Sequence, residues 1–319
     1  MNLPATVDKF ELVELEGKSL HLAIGIFDGV HLGHQEIINA AIETARNDNT
    51  VSGVLTFNPH PSQILNPEHS ISLLMNQDVK TKLFIESGID LIIQKPFTIE
   101  FAAIKANEFI AYLKRSLPTL KAIYVGENFR FGQGREGEAG MLVRDAQEQD
   151  IQVFISKIMK RNGIDISSTL IRKKLIEGQI EEANAMFGYP YFSCGQIERG
   201  QKIGRKMGFP TINLSWQPKL KPRYGVYAVK VRPDGESISW DGVANYGVRP
   251  TFSDDQDPLL EVHLLKDCSF NPGDAITVDW YAFIRSEVKF ASDDELKKQI
   301  AVDKINAENF LATLDKYRN

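Results

Sequence analysis

The stretch Gly25-Ile26-Phe27-Asp28-Gly29-Val30-His31-Leu32-Gly33-His34 constrains this chain most, because an apolar strand over His21 to Ile26 runs there into a tight turn and then a helix. His31 and His34 stand at the start of that helix on one face, and Gly33 between them lets a bulky anion approach the backbone. The helix N-terminus adds free N–H groups and a partial positive charge, which suits phosphate. Ile38 and Ile42, one turn apart, pack the rest of the helix against a sheet. Two histidines capping a helix in an ordinary α/β domain are the default meaning of a lone HxxH. Here the preceding strand, the turn of Phe27, Asp28 and Gly29, and the intervening glycine favour an anion site.

Strand and helix then alternate. Thr50 to Phe57 reads as a strand ended by Asn58-Pro59-His60-Pro61, where prolines on both sides of His60 predict an extended loop. Asp78 to Ser87 has helical periodicity, Ile89 to Ile93 is a strand, Ala106 to Arg115 a helix, and Lys121 to Val125 and Ile151 to Ile155 are further strands. Such alternation predicts a parallel, doubly wound sheet. The segment Gly126-Glu127-Asn128-Phe129-Arg130-Phe131-Gly132 follows a strand directly, and a glycine-rich segment is commonly just a flexible loop. Phe129 and Phe131 argue otherwise, since both would be costly to leave in water unless packed on something flat. In Ile166-Ser167-Ser168-Thr169-Leu170-Ile171-Arg172 the hydroxyls are helix caps, and with first-turn N–H groups and Arg172 they can also grip a polyphosphate.

From Gly188-Tyr189-Pro190 onward the pattern changes to short strands with turns, which predicts a small antiparallel barrel over 188–319, separate from a first domain over 1–187. A last helix opens at Ser292-Asp293-Asp294-Glu295, with Ala307, Phe310, Leu311 and Leu314 on its core face. Within the barrel half, Thr211 and Asn213 alternate in an extended segment and so point to one side. Their oxygens are hard ligands suited to Mg2+ carrying nucleotide phosphates, although a PTxN by itself is more often a polar turn. Glu261 stands in the middle of an apolar strand, where a carboxylate is costly to bury without a task or partner. His263, on the same face, reads as a packed, hydrogen-bonded histidine.

Composition narrows the function classes. At 319 residues with 43% apolar and 25% charged residues, the chain has the length for two globular cores. A net charge of −5 argues against a nucleic-acid partner, so phosphate chemistry must use local donors. No apolar run approaches the length of a membrane span and the first residues lack a signal peptide's pattern, so no membrane association is expected and a cytoplasmic location is. Cys194 and Cys268 are too few for a disulfide framework and read as packing residues.

In order and spacing, GIFDGVHLGH, TFNPHP, VGENFRFG and ISSTLIR resemble the FAD synthetase half of the bacterial bifunctional riboflavin kinase/FAD synthetases, across roughly residues 18 to 187. GRKMGFPTIN, GVANYGVRPT and LEVHLL resemble the riboflavin kinase half. The resemblance implies a Rossmann-like HxGH nucleotidyltransferase domain followed by a β-barrel riboflavin kinase domain with a C-terminal helix. It implies that His31 and His34 hold the ATP phosphates, that Asn128 and Arg172 complete the adenylyltransferase site, and that Glu261 is the kinase base. Gly25, Phe27, Asp28, Gly33, Ser167, Ser168 and Thr169 would line the first nucleotide site, with Phe57 and Phe129 as candidate FMN contacts. Gly204, Arg205, Pro210 and Arg249 would line the second, with Mg2+ on Thr211 and Asn213. ATP, riboflavin and FMN are the expected small-molecule partners; self-association is not predicted. Two departures stand out: Tyr246 where isoleucine is frequent, and Phe270-Asn271-Pro272-Gly273-Asp274 in place of a Leu-Tyr-Gly stretch. Rival readings are a monofunctional FAD synthetase with a decayed barrel, disfavoured by intact Thr211, Asn213 and Glu261, and an RNA- or nucleotide-binding regulator, disfavoured by the acidic balance.

Overall fold

The computed structural model describes residues 4–199, 208–248, 258–266, 268 and 270–316. The chain divides into two compact units, Met1–Ser168 and Thr169–Asn319.

The first unit opens with β1 (Ala5–Val7), β2 (Leu20–Ile24), α1 (Leu32–Asn47), β3 (Val51–Phe57), α2 (Pro61–Leu65), α3 (Gln77–Glu86) and β4 (Leu91–Lys95). It continues through α4 (Ile99–Ala102), α5 (Ala106–Ser116), β5 (Leu120–Gly126), the short pair β6 (Arg130–Phe131) and β7 (Gly137–Glu138), α6 (Ala139–Gln147) and β8 (Gln152–Ser156). A second short pair, β9 (Lys160–Arg161) and β10 (Ile164–Asp165), follows. Among the described residues the main sheet runs β1-β4-β3-β2-β5-β8, all parallel. Every residue of β2 and β3 is buried, as parallel strands covered on both faces require. Phe109, Leu113 and Leu142 cover one face of the sheet, and Ile38, Ile42 and Phe84 the other. The chain steps outward from β2 to β3 and β4, then restarts on the other side of β2 with β5 and β8. The crevice at the C-terminal ends of β2 and β5 is therefore the switch point where such sheets bind ligands.

The second unit carries α7 (Ser168–Glu177) and α8 (Ile180–Phe187), then β11 (Tyr191–Glu198), β12 (Thr211–Ser215), β13 (Gly225–Pro233), β14 (Trp240–Gly247), β15 (Leu259–Leu264) and β16 (Ala275–Ser286), and ends in α9 (Asp293–Lys316). Its strands close an antiparallel barrel in the order β11-β12-β15-β14-β13-β16. Trp280, Tyr227 and Tyr246 fill the interior, and the Trp280 indole donates to Ser193 Oγ at 2.8 Å. Outside, Ala307 and Leu311 of α9 pack over Val226, Ala228 and Val243, and Arg285 clamps Asp303 at 2.7 to 3.1 Å. Gly188 stops α8 in the left-handed region, φ 80°, as expected of a glycine closely followed by a proline. Thr169–Phe187 nevertheless pack with the barrel: the Asn184 amide donates to the Trp280 carbonyl and accepts from the Tyr191 N–H, both at 2.7 Å.

Candidate active sites

Gly25 follows β2 because the chain doubles back on it: a Cβ there would meet the Phe27 ring at 2.9 Å. Phe27 (φ 53°) and Val30 (φ 33°) are non-glycine residues held in the left-handed region, and Gly29 (φ 88°) supplies the same conformation without a Cβ clash. The Phe27 ring is fully buried, with edge contacts to Phe84 at 5.9 Å and to His34 at 5.3 Å, so it serves the site by supporting His34. His31 is the N-cap of α1, and its ring stacks on His34 with centroids 3.6 Å apart. A Cβ at Gly33 would lie 3.4 Å from the His31 ring, in ordinary contact with it, so the stack tolerates but does not demand the glycine.

Burial pulls the His31 pKa down to about 4. His34 is held well below the usual value by burial first, then by the charges of His31 and Lys80. Both rings are neutral at neutral pH and offer hydrogen bonds rather than charge. The Nδ1 atoms of both are buried and without a hydrogen-bond partner. Buried polar atoms are ordinarily hydrogen-bonded, so each can take a further hydrogen bond.

Sequence reasoning missed Lys80 on α3. It is buried, and its ammonium donates to the Ile26 carbonyl at 3.2 Å and to Thr56 Oγ1 at 3.1 Å. Burial lowers its pKa to about 8, partly offset by the Asp28 carboxylate. The available signal was spacing: Lys80 and Phe84 share one face of α3, and Phe84 is fully buried. Asp28 is itself pinned, both carboxylate oxygens accepting from the Leu74 N–H at 3.0 and 3.1 Å. Ile26, Asp28, Phe57, Asn58, His60 and Lys80 are among the residues lining a small cleft beside this turn.

The other residues expected at the nucleotide site are divided between the two units. Asn128 is exposed just beyond the C-terminal end of β5. The glycine-rich loop after it is a packed hairpin: Phe131 is buried against Phe109, Phe129 stacks on Phe131 at 5.7 Å, and a Cβ on Gly137 would strike the Phe131 ring at 2.7 Å. Phe57 is buried against Phe97 and Phe101 and is one of the residues lining the cleft. His60 is not in an extended loop throughout. Its Nδ1 accepts from the Ser62 N–H at 3.0 Å and caps α2, because Pro61 is pre-set for a first helical position. Ser167 is half-buried, and Ser168 Oγ donates to the Asp28 carbonyl at 2.8 Å. Thr169 is exposed and Arg172 half-buried on α7, within the second unit.

On the barrel, β12 pairs with β15 so that Thr211 faces His263 and Asn213 faces Glu261, while β14 places Asn245 opposite Glu261. Residues directly opposite in an antiparallel ladder share a face, so these side chains form one outward row. Leu214, Leu260, Val262 and Tyr246 point into the interior instead. Asn213 is buried and its Oδ1 has no hydrogen-bond partner, while the Thr211 hydroxyl is exposed two residues away. An orphaned amide oxygen beside a hydroxyl fits a hard divalent cation. Glu261 is half-buried, less enclosed than its apolar neighbours suggest. His263 donates through Nδ1 to the Pro210 carbonyl at 2.9 Å, which fixes the entry to β12. Gly204, Arg205 and Arg249 lie outside the described residues. Of the two departures, Tyr246 fills the barrel interior against Trp216 and Trp280, on the face opposite Asn245. Phe270–Asp274 forms a turn whose Gly273 N–H donates to the Ile197 carbonyl at 2.8 Å.

The family described as FAD synthetase matches residues 14–170, and that described as riboflavin kinase matches residues 187–311. The bifunctional riboflavin kinase/FMN adenylyltransferase of Escherichia coli (strain K12) is 36% identical over 289 residues, covering 91% of this chain and 92% of that protein. Its counterpart from Bacillus subtilis (strain 168) is 34% identical over 307 residues, 95% and 96% of the two chains. A crystal structure named as a macrolide-efflux protein from Streptococcus pneumoniae has a TM-score of 0.85 at 28% identity, covering 96% of this chain and 98% of that one. Among the described residues here, no helix is long and apolar enough to cross a membrane. With both halves matched in the order in which the two sites occur, and with relatives aligned along nearly the whole of both chains, this chain belongs to the bifunctional riboflavin kinase/FMN adenylyltransferase family.

Proposed function

We propose that the chain carries out two successive steps of flavin cofactor synthesis, phosphorylating riboflavin to FMN and then joining FMN to the adenylyl group of ATP to give FAD. The observation that carries this reading is a pair of polar groupings, the stacked His31–His34 pair at the sheet's switch point and the row of Thr211, Asn213 and Glu261 on the barrel, each with the chemistry to meet phosphate.

At the barrel, the riboflavin 5′-hydroxyl attacks the γ-phosphorus of ATP, a P–O bond to flavin forms, the bond to ADP breaks, and Glu261 takes the hydroxyl proton. Thr211 and Asn213 would hold a divalent cation, proposed as Mg2+, which would supply neutralisation of phosphate charge when bound. Thr211 and Asn213 fix where the phosphates lie, and Glu261 across the ladder is set for the alcohol, so positioning and charge neutralisation supply most of the acceleration. Gly204, Arg205, Pro210 and Arg249 are proposed as neighbouring ligand contacts.

In the first unit an oxygen of the FMN phosphate attacks the α-phosphorus of ATP, and pyrophosphate departs with the electron pair of the broken bond. His31 and His34, neutral in the free protein, aim N–H donors at the leaving charge. Asn128, Ser167, Ser168, Thr169 and Arg172 are proposed to complete the nucleotide contacts, Phe129 to contact flavin and Phe57 to border its site. The assignment of adenylyl transfer to 1–187 and kinase activity to 188–319, and a cytoplasmic location, belong to the same proposal.

The test is incubation of the pure protein with riboflavin, ATP and Mg2+, with separation of the flavins over time. FMN should appear first, then FAD with one pyrophosphate per FAD. In His34→Ala, FMN should accumulate and FAD should not form. A folded His34→Ala protein that loses both products equally would overturn the two-site assignment.

A further inference from the structure

We propose that Lys80 is a phosphate-contacting residue of the adenylyltransferase site, its ammonium meeting oxygens of the nucleotide's polyphosphate on the same side as His34. This inference rests on the adenylyltransferase reading of the first unit.

Lysine is among the residues least often fully buried, and a buried charge is retained only where something compensates it. Lys80 is 6% exposed, yet its two acceptors, the Ile26 carbonyl and Thr56 Oγ1, are both neutral. An ammonium has three donors, so one remains for the cleft that Lys80 lines. Holding the turn together does not require the charge, because Thr56 Oγ1 already donates to the Ile26 carbonyl at 2.9 Å. The buried Asp28 carboxylate offsets part of the cost of that charge, which leaves the third donor and the cleft it faces to account for.

Within the first unit, a full positive charge is what the two histidines do not supply. Pyrophosphate leaving the α-phosphorus carries several negative charges, while the two histidines are neutral and the α1 N-terminus offers only a partial charge. Lys80 stands by the C-terminal ends of β2 and β3, and its charge is felt at His34. In the transfer step it exchanges no proton: the new bond joins FMN oxygen to the α-phosphorus, the old bond to the β-phosphate breaks, and the ammonium stabilises the departing oxygens.

The groups that face Lys80 are Asp28 from the turn, which supports its charge, His34 from α1, which is neutral, and His60 from the start of α2, which lines the same cleft. A pKa of about 8 places its deprotonation within reach of experiment. Above that pH the ammonium becomes an amine and the attraction for phosphate is lost. The kcat/KM for ATP in the FMN-to-FAD reaction should therefore fall on the alkaline side, since this parameter reports ionisations of the free enzyme.

Lys80→Met keeps the buried stem and removes the charge. The FAD step should lose about 100-fold in kcat/KM, the scale of one preorganised donor at a developing oxyanion. The alkaline limb should vanish with it. Riboflavin phosphorylation in the same preparation should persist, and the thermal melt should report a folded protein. A folded Lys80→Met protein with the parent's kcat/KM overturns the inference. If Lys80→Met does not fold, pyrophosphate binding to the parent decides: affinity falling about tenfold per pH unit above pH ~8 supports the role, and a flat profile to pH ~10 overturns it. A parent that makes no FAD from FMN, ATP and Mg2+ sinks the adenylyltransferase reading itself, a result distinct from either.

Discussion

Glu261 and Asn213 face each other across the β12–β15 ladder, and Thr211 lies two residues along the same edge. Their proposed tasks differ, so their variants should fail differently. An alcohol is a poor nucleophile at neutral pH, and a positioned base is worth about 10²–10⁴-fold. Glu261→Gln should cut the kinase kcat by that order while ATP binding and conversion of supplied FMN to FAD continue. Thr211→Ala should weaken Mg-ATP binding and be partly relieved by excess Mg2+. Parent-rate phosphorylation by Glu261→Gln, with chemistry shown to limit turnover, would remove Glu261 from the mechanism. At this scale the sequence was legible in placing residues of a type unusual for their position, the paired imidazoles at the start of α1 and the carboxylate within β15. It was opaque for Lys80, because a lysine on a helix is ordinarily solvated and only its spacing to Phe84 marks the buried face. Phe27 and Asp28 sit inside the motif, yet their side chains support the turn through His34 and Leu74, a distinction that spacing alone does not carry.

Among elements, α7 and α8 bear most directly on experiment. Ile171, Leu175, Ile180 and Phe187 are fully buried, and Arg223 reaches the Leu175 carbonyl through its N–H and the Glu177 carbonyl through its guanidinium. Removing one buried phenylalanine side chain costs about 3–5 kcal/mol, against roughly 5–15 kcal/mol for a whole domain. A fragment of residues 169–319 should therefore fold and phosphorylate riboflavin, whereas 188–319 should melt far lower. Equal stability of the two fragments would show that the helices contribute nothing to the barrel. Periodicity revealed the long elements, since α1, β3, α5 and the barrel strands repeat their pattern over many residues. It failed for β1, whose three residues are too short to alternate, and for α6, whose start is masked by Gly137 and Gly140. β12 was visible as an extended segment, but membership of a closed barrel depends on partners far away in the chain.

For the molecule as a whole, a net charge of −5 is compatible with the two proposed polyanion sites because their proposed donors are local: neutral rings, helix-start N–H groups, a buried ammonium and hard oxygens. The barrel's aromatic filling has an optical consequence. All three tryptophans, Trp216, Trp240 and Trp280, belong to the second unit, and Trp280 lies fully buried among Tyr191, Tyr227 and Tyr246. Indole emission from the intact chain therefore reports on the barrel, while far-ultraviolet dichroism sums both units. Heating the protein while recording both signals separates the melting of one unit from that of the other without a label, and a fluorescence midpoint displaced from the dichroism midpoint measures how independently the two cores hold.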